Sequence, residues 1–523
     1  MAAAAADVTL GDNGGGVTDA QYGAAVGRSR VCADTRRSHG RFGQHRRCPG
    51  VRFEGGCAGQ RCAGPGDEAA AQHAVALDYV KALSRDTRAN CWDLAEKAGH
   101  AGPHRMQALL TRYKWPWHKL RGQLPALAAQ CLPDDPDDEI GPGLAIDETA
   151  DLKKGKATAC VSPQHAGVTG TVENCLTWVF AALVTASGQA WAWFDLYMPE
   201  RWATDQRRRR EAGIPGSLAF ATKPALAIAQ VKHLAAAGLR FLWVAADEVY
   251  GRSREFRDAC RALKLAYVVI IPCDYQVTPA AGTAAVRADQ AVSGAVFERR
   301  SCGDGTKGPR YSDWALLATE DPREFLLIRR ADREQNEYTF YLCYAPEGRP
   351  ATLTYFIIIA GRRWPVETTF KTGKDSFGWD QSQARTYHAL NRHTVLTALA
   401  QLRAIAVRGA IAGTLTLPDA PAANAVTGPG PAEDHASDAD LRIPAGGAPV
   451  PARGGQSCPP GIPPIRLSVA EAVRLEELTR DYAAGLLSRA RLAFHYRWSA
   501  WRRRHQARAR WHHYSTRLQA IAT

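Results

Sequence analysis

The spacing of apolar residues changes several times along these 523 residues, and the changes divide the chain. Residues 1–75 show neither a helical nor a strand period and are rich in Gly, Arg and Ala. Such a segment buries too little apolar surface to offset its ordering entropy, so it reads as a disordered tail. An alternative reading places it outside the ancestral coding sequence. Over residues 76–132 the pattern turns helical: Leu77, Val80 and Leu83, then Met106, Leu109, Leu110 and Tyr113, recur at three- and four-residue steps. This unit carries Arg112, Lys114, Lys119 and Arg121, which suit either a DNA-binding module or a plain helical cap on the next domain. Gly141-Pro142-Gly143 then breaks the pattern.

From Leu144 the period shortens. Leu144-Ala145-Ile146 is an apolar run closed by Asp147, and Phe241 to Ala246 is another closed by Asp247. Between them, residues 176–184 and 190–197 read as strands of a hairpin turning at Ser187-Gly188. A helix opens at Lys223-Pro224, and a helix over 254–264 leads to a further strand over 267–271. Antiparallel strands followed by strand–helix–strand is the order of a ribonuclease-H-like α/β core, here over 143–415. Short strands near 315–318, 325–330 and 338–344 mark a β-rich insertion over about 274–350. Residues 416–464, rich in Pro, Ala and Gly, read as a flexible linker. Ser468-Val469-Ala470-Glu471 is a capping box, so residues 465–523 are expected to begin as a helix.

Charge then narrows the partners. The net charge is +14, and no Asp or Glu follows Asp481. Arg502, Arg503, Arg504, Arg508 and Arg510 lie there among Trp498, Trp501, Trp511 and Tyr514, a mixture suited to phosphates and to stacking. No apolar run approaches the roughly 18 residues that would span a membrane, so a soluble, cytoplasmic, nucleoid-associated chain is expected. The thirteen cysteines include no C-x2-C pair and read as free thiols.

Glu367 supplies a third acid of interest. Arg363 lies four residues before it and Lys374 seven after it. At about 100° per residue all three return to nearly one helical face. Pro365 complicates this, since a helix starting at Trp364 takes Arg363 off that face. Two strand-end aspartates and one helical glutamate are the layout of a metal-dependent phosphoryl-transfer site. Magnesium, or manganese, prefers such hard oxygen ligands. Glu148 and Glu248 are weaker candidates for ligands. Lys153 and Lys154 come after the first acid at hairpin distance and suit phosphate contacts.

The motifs Asp147-Glu148-Thr149, Lys153-Lys154-Gly155, Glu173-Asn174-Cys175, Asp247-Glu248-Val249-Tyr250-Gly251, Arg363-x3-Glu367-x6-Lys374 and Trp498-x2-Trp501-Arg502-Arg503-Arg504-His505-Gln506 resemble the DDE transposases of bacterial insertion sequences. The resemblance covers about residues 76–415 and the basic C-terminus. It implies a metal-binding catalytic triad of Asp147, Asp247 and Glu367, with Arg363 and Lys374 contacting DNA beside the third acid. It also implies magnesium-dependent cutting and joining of double-stranded DNA at terminal inverted repeats, by a homodimer on DNA. Related elements place a Tyr where this chain has Ala360. A catalytically decayed DNA-binding protein and another ribonuclease-H-like nuclease remain the alternatives.

Overall fold

The computed structural model describes residues 65–84, 88–167, 169–280, 284–305, 308–331, 337–414 and 462–522. Four helices come first, α1 (Pro65–Ala82), α2 (Cys91–Lys97), α3 (His104–Thr111) and α4 (Trp117–Cys131). Strands β1 (Gly143–Leu152), β2 (Ser162–Ala166), β3 (Thr171–Thr185) and β4 (Gly188–Leu196) lead to α5 (Glu200–Thr204), α6 (Gln206–Glu211) and α7 (Lys223–Ala236). Next come β5 (Trp243–Ala246), α8 (Glu248–Gly251), α9 (Arg254–Ala262) and β6 (Ala266–Ile271). A small ladder, β7 (Gln276–Val277) with β8 (Val286–Arg287), precedes β9 (Glu298–Gly305), β10 (Gly308–Ala318), β11 (Glu324–Arg330) and β12 (Tyr338–Tyr344). The chain continues in α10 (Leu353–Arg363), α11 (Val366–Phe377), α12 (Tyr387–Thr414), α13 (Val469–Ala483) and α14 (Arg489–Ala522).

Ten strands form one mixed sheet in the order β2-β3-β1-β5-β6-β12-β11-β10-β9, with β4 on the outer side of β3. Only β1, β5 and β6 run parallel. The short apolar strand β5 lies between two hydrogen-bonded neighbours, and each of its residues is fully buried. Strands expected as an inserted β-rich subdomain extend this same sheet instead, because β12 pairs antiparallel with β6 from Phe340↔Ile271 to Tyr344↔Tyr267.

Three further differences from the sequence reading have physical causes. Asp147 does not end its strand but is the fifth of ten residues in β1. The long strand β3 pairs β1 along its whole length, Gly143↔Val184 to Leu152↔Cys175, and carries the polar stretch after Asp147 with it. Helix α1 begins at Pro65, inside the segment expected as a tail, whose earlier residues lie outside those described. The expected linker lies there too, apart from residues 462–464. Ser468 does cap α13, its hydroxyl accepting from the Glu471 amide at 3.2 Å.

Helix α4 packs on β4 and α12, and Arg121 is drawn inward, its guanidinium 2.8 Å from Asp195 and stacked 4.2 Å from the Trp193 ring. The core beneath is aromatic. Phe180 meets Trp191 at 4.5 Å and Phe370 of α11 at 5.3 Å between ring centroids. Gly373 lets α11 lie flat on that layer, since a Cβ there would come 2.5 Å from the Trp191 ring.

Candidate active site on the parallel strands

Strands β1 and β5 are in register at Ile146↔Ala246, so the next residue of each, Asp147 and Asp247, stands beside the other. Burial of both apolar runs fixes that register, because a one-residue slip would turn every side chain to the wrong face. Strand β5 ends at Ala246, and the next residue, Asp247, accepts from the Val249 amide at 3.1 Å with its side chain and so opens α8. Gly251 closes α8 against β6, where a Cβ would fall 1.8 Å from the Ile270 carbonyl oxygen.

Successive residues of a strand face opposite sides, and β1 uses both. Asp147 faces α10, where the Arg363 guanidinium lies 3.2 Å from one oxygen; its other oxygen accepts from the Glu148 amide at 2.8 Å. Glu148 faces α7 and α8: Lys223 donates to one oxygen at 2.7 Å and the Tyr250 hydroxyl to the other at 2.6 Å. One carboxylate oxygen from each of Asp147, Glu148 and Asp247 lies within 4.8 Å of the others.

Burial pushes the Asp147 carboxyl up to about 7; Arg363 opposes this and Asp247 adds to it. Burial also raises Asp247 to about 6, with the Glu148 charge next in weight. Carboxylates this close and this poorly solvated resist ionising together, and a cation among them removes the conflict. The donor set, all hard oxygens, therefore fits a divalent cation of the magnesium class.

Glu367 is placed differently. Pro365 has no amide hydrogen to offer, so α10 stops at Arg363 and Pro365 becomes the N-cap of α11. Arg363 thus leaves the face expected to carry it with Glu367 and Lys374. Glu367 sits exposed in the first turn of α11, outside the group of three acids, and makes no ion pair among the described residues. Lys374 is turned inward: its ammonium donates to the Ala150 carbonyl at 3.0 Å, and burial lowers its pKa.

Lys153 also points in, bonded to Asp151 at 2.9 Å and to the Ser382 carbonyl at 2.9 Å, whereas Lys154 is exposed. Asp151 was not read from the sequence. It lies four residues after Asp147 on the same face of β1, and burial raises its carboxyl to about 7 against the pull of Lys153. Tyr250 was also missed, although its motif was in view. Glu248 turns outward to Arg252 at 2.6 Å. In the basic segment Arg502 pairs with Glu471, Arg510 with Asp304 at 2.7 Å, and Arg503 is buried, while Arg504 and Arg508 face solvent.

Residues 66–322 match the family model of the DDE superfamily endonuclease. A probable transposase for insertion sequence element IS701, from Microchaete diplosiphon, is 30% identical over 200 residues, which is 38% of this chain and 48% of that protein. The chain thus spans about half the length of the curated relative it matches. The DDE endonuclease match includes Asp147, Glu148 and Asp247 and ends before Glu367. Among the described residues no helix is long and apolar enough to cross a membrane.

Proposed function

We propose that this chain is a transposase that cuts and joins double-stranded DNA at the terminal inverted repeats of an insertion sequence. The observation that carries the reading is the Asp147–Glu148–Asp247 group, built by strand register inside the segment matched as a DDE endonuclease. Magnesium or manganese held by Asp147, Asp247 and Glu367 would supply Lewis acidity at the scissile phosphate and activate a water or 3′-hydroxyl. Glu148, its oxygens engaged by Lys223 and Tyr250, would orient the cluster, and the resemblance to DDE transposases supports Glu367, which stands outside the cluster here, as the third ligand. Arg363 covers Asp147 until a cation competes with it, and its planar fork then suits a phosphate oxygen. Joining two ends calls for at least two subunits, so the working form is a homodimer on DNA at the nucleoid.

Cleavage of linear DNA carrying the ends of the gene's own flanking region tests this. Wild type is expected to cut at the repeat ends with magnesium and not in EDTA, and Glu367→Gln to bind without cutting. End-specific binding without cutting by wild type would point to a decayed DNA-binding protein. Hydrolysis without joining would point to a general nuclease.

A further inference from the structure

Helix α14 has two unlike faces. Its inner face is anchored by buried Ser499, Arg503 and Ala507, then by Tyr514, whose ring lies parallel to Tyr311 of β10 with the hydroxyls 3.2 Å apart. The outer face carries Phe494, Trp498, Trp501 and His505, spaced four, three and four residues so that they form one stripe. Their rings stack in sequence, with centroids 6.1, 5.0 and 5.2 Å apart and planes within 18°, 23° and 10°. Phe494, Trp498 and Trp501 are each about half exposed, at 51%, 47% and 49%. Arg497, Arg504 and Arg508 flank the stripe and face solvent.

Large exposed aromatics in a row mark a contact surface rather than ordinary surface scatter. Charge selects the occupant. No acid follows Asp481, so a second copy of this face would meet like charge, whereas a polyanion would be drawn to it. Phosphates alone would need only the arginines. Indole and phenyl rings add something when bases offer their faces, and in a duplex those faces are hidden in the stack. We propose that the outer face of α14 binds single-stranded DNA, with Trp498 and Trp501 stacking on unpaired bases and Arg497, Arg504 and Arg508 tracking the backbone. The proposal rests on the reading of this chain as a protein that acts on DNA, and places on α14 a strand left unpaired during cutting or joining.

The test is fluorescence anisotropy of the full chain in EDTA, where no cutting occurs, with a dye-labelled oligothymidylate and a duplex of equal length. The double variant Trp498→Ala/Trp501→Ala is expected to lose about tenfold or more on the single strand and less than about twofold on the duplex. Trp498→Phe/Trp501→Phe should recover much of that loss. Arg504→Ala/Arg508→Ala should weaken both probes and flatten the salt dependence. Equal losses on both probes, or none on the single strand, would overturn the proposal. So would an alanine pair that binds DNA normally but changes the sedimentation of the protein, since the stripe would then cover a second copy. A chain that binds neither probe refutes the DNA reading itself; one that binds only duplex refutes the α14 proposal alone.

Discussion

The β1–β5 pair and the α10–α11 junction both carry acids of the expected site, and they are built on opposite terms. In the middle of the sheet, backbone pairing places Asp147 and Asp247 side by side before any side chain contributes. Their carboxyls are then left poorly solvated, at about 7 and about 6. At the junction, Pro365 breaks one helix into two and leaves Glu367 exposed, with no neighbouring acid in its group. The first region is preorganised and electrostatically costly, while the second carries little strain of charge. A site that assembles around DNA and a cation is served by that division, with a rigid part on strands and an adjustable part after a helix break.

Asp247→Asn should separate the two regions most sharply. Cleavage is expected to fall about a thousandfold or more, because a ligand oxygen is lost while Asn still caps α8. Stability should move the other way. The folded carboxyl titrates near 6 against an ordinary 3.8, so its stabilising protonation is complete below about pH 4 and lost as the pH rises through 6. In EDTA the variant should match wild type at pH 4 and exceed it at pH 8, by on the order of 1–3 kcal/mol. Glu367→Gln should leave stability within about 0.5 kcal/mol, since its side chain is exposed. Thermal unfolding at the two pH values measures both, and a destabilised Asp247→Asn at pH 8 would erase the contrast between the regions.

How far the sequence disclosed this arrangement depends on the same contrast. Apolar runs with one period and a terminal acid are local signals, so the strands bearing Asp147 and Asp247, the β3–β4 hairpin and helix α7 were legible. The continuation of β1 was not: its polar residues after Asp147 look like a turn until β3, over twenty residues later, pairs with them. Losing that half-strand also hid Asp151 and gave Lys153 to solvent. The merging of β9–β12 into the main sheet depends on one long-range pairing, β6 with β12, that no local pattern announces. Pro365 signals a break in any helix that contains it, but only the packing of α10 and α11 decides where that break falls.

Pro365→Ala sharpens the comparison at an intermediate scale. The Pro365 ring holds φ at −65° at the N-cap of α11, with no side-chain cap bond to lose. Alanine permits α10 to run on into α11, which would bring Arg363 onto the face of Glu367 and away from Asp147. Stability is expected to change by less than about 1 kcal/mol, while cleavage falls about tenfold. Full activity with an unbroken helix would mean that the junction does not set the position of Glu367.

The smallest effect is expected one turn beyond β1, where two neighbouring lysines differ as the two regions do. Lys153 is tied to the buried Asp151 and belongs to the rigid part, whereas Lys154 is exposed and free to meet a phosphate. Lys154→Ala should leave the melting temperature nearly unchanged, within about 0.5 kcal/mol. It should weaken binding to duplex DNA only a few-fold, with a salt slope lower by about 1, because one phosphate contact is removed from many. Titration of end DNA at several salt concentrations reads both quantities. An unchanged slope would place the phosphates elsewhere and leave the turn after β1 as a purely structural part of the sheet.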